Sequence, residues 1–173
     1  VRAFKVDHGV PSLGYTIYDS RMKLKKKYHG FSGKELAQLK REGVSIEAPL
    51  HTPRLTFIGD CTAKTLWREE EIWESKVLVI ESTFIGDGEE QLARARGHTH
   101  LKEIADLLRE RAAYVSCEAI ILKHFSMKIK PFEALEAALR MIPPSFHNRV
   151  YLMTALPKSM RGLSLCDLAW HGV

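Results

Sequence analysis

Four side chains of the kinds that bind metals or move protons each close an apolar, strand-like segment. They are His8 in KVDHGVPSLGY, Asp60 in LTFIGDCT, Glu81 in KVLVIEST and His124 in AIILKHFS. A fifth, His98 in RGHTHLKEIA, stands where a helix opens. Two imidazoles and a carboxylate suit the nitrogen and oxygen preferences of zinc. A carboxylate can also bridge two metals roughly 3.5–4 Å apart, which a neutral imidazole cannot do. An imidazole beside a second carboxylate is the usual equipment for general acid–base work. Each residue also has an ordinary reading. A histidine at a strand end is often a satisfied structural group, Asp60 after Gly59 suits a turn or a helix cap, and Glu81 suits nearby backbone amides. His98 likewise reads as a residue ahead of a helix capped by Thr99. The repetition of ionisable groups at matching strand ends favours a site over separate coincidences.

The elements that must position these residues follow from hydrophobic period and turn chemistry. Residues 2–8 and 14–19 alternate polar and apolar around Gly9, Pro11 and Gly14, the pattern of a hairpin. A short helix is expected over Lys34–Glu42, ended by Gly43. Strands are expected over Arg54–Ile58, Lys76–Ile80, Glu118–Lys123 and Arg149–Met153. Helices are expected over Glu89–Arg96, Leu101–Ala113 and Pro131–Met141, the last with proline in its first turn and the Pro143-Pro144 pair beyond its end. A hairpin followed by repeated strand–helix units indicates an α/β layered domain with a mixed sheet, whose function sits on the loops after the strands.

Composition narrows the class. The chain has 173 residues, 45% of them hydrophobic, enough for one domain-sized core. No apolar run approaches the ~20 residues of a membrane-spanning helix. The opening VRAFKVDH has neither the apolar stretch nor the cleavage signal of a secretory peptide. It lacks methionine and starts inside a strand-like segment, so sequence upstream of Val1 is expected. Cys61, Cys117 and Cys166 are odd in number and widely spaced, which argues against a disulfide framework and for an intracellular reducing compartment. The net charge of +5 is uneven: RMKLKKK over 21–27, then Lys34, Lys40 and Arg41, concentrate the excess. Such a run is ordinarily a solvated face, but beside a site it can gather phosphates and give salt-sensitive binding. No RNP-type aromatic motif accompanies it, so base-specific readout is not indicated.

Six segments in order, DHGVPSLGY, LKKKYHGFSGKELAQLKREGV, FIGDCT, VLVIESTF, GHTHLKEIA and ILKHFSMK, resemble ribonuclease Z (tRNase Z), in its short plant-type form. That family is the tRNA 3′-processing endonuclease of the metallo-β-lactamase fold. The resemblance covers about residues 2–154 and implies the C-terminal half of an αββα sandwich. It implies two zinc ions, with His8, Asp60 and His124 as ligands and Asp60 bridging. It implies His98 as the proton donor to the leaving ribose oxygen, oriented by Glu81 of a HEAT-like motif. His100 is left as a structural or supporting residue. Lys23, Lys25, Lys26, Lys27, Lys34, Lys40 and Arg41 fall where the family inserts a tRNA-binding arm, here reduced to 21–43 within a domain of 1–155. Residues 156–173 match nothing in the family and read as a divergent tail. Precursor tRNA is the implied substrate, a homodimer the implied assembly, and no membrane is involved.

The chain departs from the family pattern in one major respect. The family's HxHxDH string, which supplies most zinc ligands, does not occur; the only HxH is His98-Thr99-His100, followed by Leu101-Lys102. His8, Asp60 and His124 by themselves fall short of what two zinc ions need. Three readings therefore stay open: a zinc endoribonuclease completed by an N-terminal half, an inactive remnant that binds RNA or a partner, and another metallo-β-lactamase-fold hydrolase acting on small esters. In the first two, a sheet face is expected to lie uncovered on the isolated chain.

Overall fold

A computed structural model describes residues 1–170. Its six strands form one mixed sheet in the order β1-β2-β3-β4-β5-β6, from Arg2–Lys5 (β1), Leu13–Leu24 (β2), Glu47–Ile58 (β3), Val77–Glu81 (β4), Ala119–Lys123 (β5) and Val150–Leu152 (β6). β1 and β2 pair antiparallel as the expected hairpin, while β3 to β6 pair in parallel. The described residues also form six α-helices, the last of them after β6: Gly33–Arg41 (α1), Ala63–Arg68 (α2), Glu90–Ala95 (α3), Leu101–Glu110 (α4), Pro131–Met141 (α5) and Leu165–Trp170 (α6). None is long and apolar enough to cross a membrane.

The chain forms two compact units, Tyr18–Thr52 and the remainder. In the larger unit, period-two alternation assigns the strand residues to two faces. Thr56 and Ile58, Leu78 and Ile80, Ile120 and Leu122, Val150 and Leu152 are all buried. They meet a helical layer in which α4 contacts α2 and α5, and α5 contacts α6. α4 brings Leu101, Ile104, Ala105, Leu107 and Leu108 to the core at helical spacing. Gly14 belongs to this face for a steric reason: a Cβ there would lie 2.4 Å from the Phe4 ring.

The opposite face is different. Phe57, Val79, Ile121 and Tyr151 stand side by side in register across four strands. With Leu13, Tyr15 and Ile17 of β2 they make an apolar surface on which Leu13, Tyr15, Ile17 and Phe57 are all exposed. A sheet apolar on both faces is ordinarily covered on both, and the described residues leave this one open.

The smaller unit contains the basic segment. β2 runs on through Arg21–Leu24, so this stretch is strand rather than the start of a loop, and β3 begins at Glu47 rather than Arg54. Charged and polar residues keep such outer strand segments soluble, which hides their length from a hydrophobic-period reading. α1 opens with a capping box in which the Glu35 carboxylate accepts the Ser32 N–H and hydroxyl, each at 2.7 Å. Those bonds hold the Glu35 carboxyl below its ordinary pKa. Lys25 donates to the Ser45 carbonyl at 2.6 Å, and Lys40 pairs with Glu47 at 3.1 Å. Lys23, Lys26, Lys27, Lys34 and Arg41 are exposed.

Part of the expected 156–173 tail packs into the core of the larger unit. Leu156, Leu165 and Leu168 are buried, and Ser164 bridges Tyr151. The last three residues of the expected 156–173 tail lie outside the described residues.

Candidate active site

The site is assembled around Glu81, the last residue of β4. By strand parity Glu81 should share the exposed face with Val79, yet its side chain has no exposure. Three loops close over it. Its Oε1 accepts the backbone N–H groups of Cys61 (3.1 Å) and Thr99 (3.2 Å) and lies 2.9 Å from His98 Nδ1. Its Oε2 accepts the Thr83 N–H at 2.9 Å and the Thr83 hydroxyl at 2.5 Å. A carboxylate can be buried only when its oxygens are filled in this way. The same bonds fix the loops after β3, β4 and α3 against one another.

His98 is delivered by the end of α3. Gly97, at φ +77°, takes the left-handed position, with its N–H donating to Arg94 and the His98 N–H to Ala93, the pairing of a Schellman motif. The Gly97 carbonyl lies 2.7 Å from His8 Nδ1, and a carbonyl can only accept, so His8 Nδ1 carries the hydrogen. A Cβ at residue 97 would meet that same nitrogen at 2.7 Å. The segment before His8 is held to α2: the Asp7 carbonyl accepts the Thr62 N–H at 2.7 Å, and the Asp7 N–H donates to the Thr65 hydroxyl at 2.8 Å.

His100, not Thr99, caps α4. Its Nδ1 accepts the Lys102 N–H at 3.0 Å, its Nε2 donates to the Gly86 carbonyl at 2.8 Å, and Glu103 accepts the His100 N–H at 3.1 Å. Both ring nitrogens are thereby used in structure. Thr99 instead donates its hydroxyl to the Cys61 carbonyl at 2.6 Å.

His124 follows β5 with φ +60°, the only non-glycine residue in the left-handed region among the described residues. Holding a side chain there costs on the order of 1–3 kcal/mol, a strain typical of functional positions. Asp60 Oδ1 lies 3.4 Å from His124 Nδ1 and 3.8 Å from Lys123 Nζ. Asp60, His98 and His124 each offer a ligand atom, and the three atoms all lie within 4.8 Å of one another. His8 is outside that group but adjoins it, with its ring centroid 5.4 Å from that of His98; the His98 and His124 centroids are 5.5 Å apart. Nitrogen and oxygen donors at this spacing fit a divalent transition metal such as zinc. The structure thus brings His8, Asp60, Glu81, His98 and His124 together. Sequence reasoning missed Thr83 and Lys123, whose positions beside the picked residues were the only available signal.

No family model matches the chain. Among curated proteins, tRNase Z TRZ1 of Arabidopsis thaliana is 39% identical over 157 residues, covering 89% of this chain and 54% of that protein. The chloroplastic tRNase Z TRZ2 of the same plant is 35% identical over 144 residues, covering 82% of this chain and 40% of that one. The chain is a relative of tRNase Z. It spans about half the length of the curated relatives it matches. In structure it resembles the metallo-β-lactamase fold protein YhfI of Bacillus subtilis, with a TM-score of 0.51 and 11% identity over 88% of this chain and 46% of that one. That likeness speaks to fold alone and assigns the metallo-β-lactamase α/β sandwich.

In this tRNase Z relative, Cys61 sits between the Asp60 and Glu81 loops without exposure. Burial, and then the Glu81 charge, push its thiol up to about 12; burial also pushes Cys117 up to about 12. Both remain thiols at neutral pH, whereas Cys166 is exposed. At pH 8, a thiol reagent such as DTNB is expected to label one cysteine of the native chain quickly and all three after denaturation. Folding raises both buried pKa values above the ordinary 9.0, so their contribution to stability is full below pH 9 and falls as pH rises toward about 12. Rapid native labelling of Cys61 or Cys117 would contradict this packing.

Proposed function

We propose that the chain is the C-terminal part of a zinc-dependent endoribonuclease that removes 3′ trailers from precursor tRNA, completed by an N-terminal half that carries HxHxDH. The observation that carries the reading is the bond from buried Glu81 to His98, beside Asp60 and His124, in a chain 39% identical to a tRNase Z. The apolar sheet face bearing Tyr15, Ile17 and Phe57 is the surface on which that half packs. His8, Asp60 and His124 would hold metal on this side of the site. Zinc, when bound, lowers the pKa of water and offsets charge on a phosphoryl group. The inactive-remnant reading shares the fold and differs only in whether the missing half exists.

The chain's own residues account for proton delivery. Glu81 holds His98 by Nδ1, which directs the proton on Nε2 to the departing 3′-oxygen and stabilises the imidazolium before transfer. Burial of Glu81 keeps water from competing for that bond. His98 also falls in the metal-spaced group, and the metal content of a His98 variant separates acid from ligand.

Mixing the chain with a fragment carrying HxHxDH, in the presence of zinc, is expected to restore 3′ cleavage of a precursor tRNA. A folded complex that does not cleave would leave the inactive remnant as the reading. In the restored enzyme, His98→Ala should lower the cleavage rate by ~10²-fold or more with zinc content unchanged, measured by single-turnover assay and metal analysis. Lost zinc would make His98 a ligand instead.

The exposed cations Lys23, Lys26, Lys27, Lys34 and Arg41 are the part of the arm proposed to meet the tRNA backbone, while Lys25 and Lys40 also brace the arm through Ser45 and Glu47. Replacing Lys23, Lys26 and Lys34 with alanine should weaken tRNA binding and reduce the slope of log affinity against log salt by as much as ~0.9 for each phosphate no longer neutralised. Unchanged affinity across salt would return the run to a solvated face.

A further inference from the structure

Thr83 lies two residues beyond Glu81, and its hydroxyl oxygen stands beside both rings of the metal-spaced group. That hydroxyl has one hydrogen, which is committed to Glu81 Oε2 at 2.5 Å. The same oxygen stands 2.9 Å from His124 Nδ1 and 3.3 Å from His98 Nδ1. With its hydrogen spent, the oxygen can only accept from either imidazole. His98 Nδ1 has its shorter bond to Glu81, at 2.9 Å. His124 Nδ1 has no such alternative: its other neighbour is the Asp60 carboxylate at 3.4 Å, again an acceptor.

From this we propose that the Thr83 hydroxyl is a positioning group that selects the Nδ1–H tautomer of His124 and links that ring to the Glu81–His98 pair. In water a neutral histidine favours the Nε2–H form, which cannot ligate a metal through Nε2. Thr83 reverses that preference and leaves the Nε2 lone pair for a ligand. The backbone keeps the hydroxyl opposite the ring: the Ser82 N–H donates to the Lys123 carbonyl at 2.9 Å, and the Ser126 N–H to the Thr83 carbonyl at 3.1 Å. These bonds carry the β4–β5 register past the strand ends and bracket His124, which takes the left-handed backbone at φ +60°. Thr83 is itself buried. The consequence for metal rests on the proposed zinc site; the tautomer does not.

The test reads the imidazole nitrogens directly, by long-range ¹⁵N–¹H correlation on the metal-free whole chain at pH 8. Wild type is expected to show His124 protonated at Nδ1 and bare at Nε2, and Thr83→Ser, which keeps the hydroxyl, to match it. Thr83→Val should move His124 to mainly Nε2–H while His100, held at both nitrogens, stays unchanged and reports an intact fold. Zinc affinity, measured by chelator competition, should fall roughly 10–100-fold in Thr83→Val and little in Thr83→Ser. An Nε2–H form in wild type, or an Nδ1–H form retained in a folded Thr83→Val, would overturn the proposal. A chain that shows the tautomer contrast but gives no cleavage with the HxHxDH fragment would refute the nuclease reading and leave the role of Thr83 standing.

Discussion

The structure of the site depends on one buried carboxylate. Glu81 has no exposed side-chain surface, and five donors from four residues converge on its two oxygens. Removing any donor would leave a buried oxygen under-satisfied, at a cost of about 1–3 kcal/mol. The three loops are therefore tied to Glu81 as strongly as Glu81 is tied to them. Cys61 brings Asp60 with it, Thr83 brings His124 within reach, and Thr99 brings His98. The arrangement is preorganised by polar burial and does not depend on packing alone.

A shared pattern of hydrogen bonding follows in the imidazoles. His8 gives Nδ1–H to Gly97, and His98 and His124 each present Nδ1 to an oxygen of the Glu81–Thr83 pair. In each case Nδ1 is engaged inside the protein and Nε2 is not used by the same partner. His100 contrasts with them, because both of its nitrogens serve the α4 cap. One short GHTH segment thus holds a histidine with both nitrogens built into structure and one that meets the buried Glu81 through Nδ1 alone. Residue type does not separate them; hydrogen-bond accounting does.

The sheet has the opposite asymmetry. Its helix-covered face is a closed core, while the other face leaves Tyr15, Ile17 and Phe57 exposed. The chain spans about half the length of the tRNase Z relatives it matches. The basic segment forms a unit of its own over Tyr18–Thr52, wider than the 21–43 its charges mark, because the flanking strands are polar.

Much of this was determined by the sequence alone. Alternation and helical spacing locate the hairpin, the buried parallel strands and α4, since burial on one face forces those periods. The six motif segments carry the resemblance to tRNase Z, and ionisable residues recurring at matching strand ends single out His8, Asp60, Glu81 and His124, with His98 at a helix start. α6 is not legible there, because LCDLAW is too short to show a period. Only the tertiary structure could decide that His100 rather than Thr99 caps α4, and that Thr83 joins the two imidazoles. Both rest on distances between groups that meet only when separate loops fold together, and a hydroxyl's single hydrogen can be assigned only when all its neighbours are in place. Pattern fixes which face is buried; the pairing of donors with acceptors is settled when the loops meet.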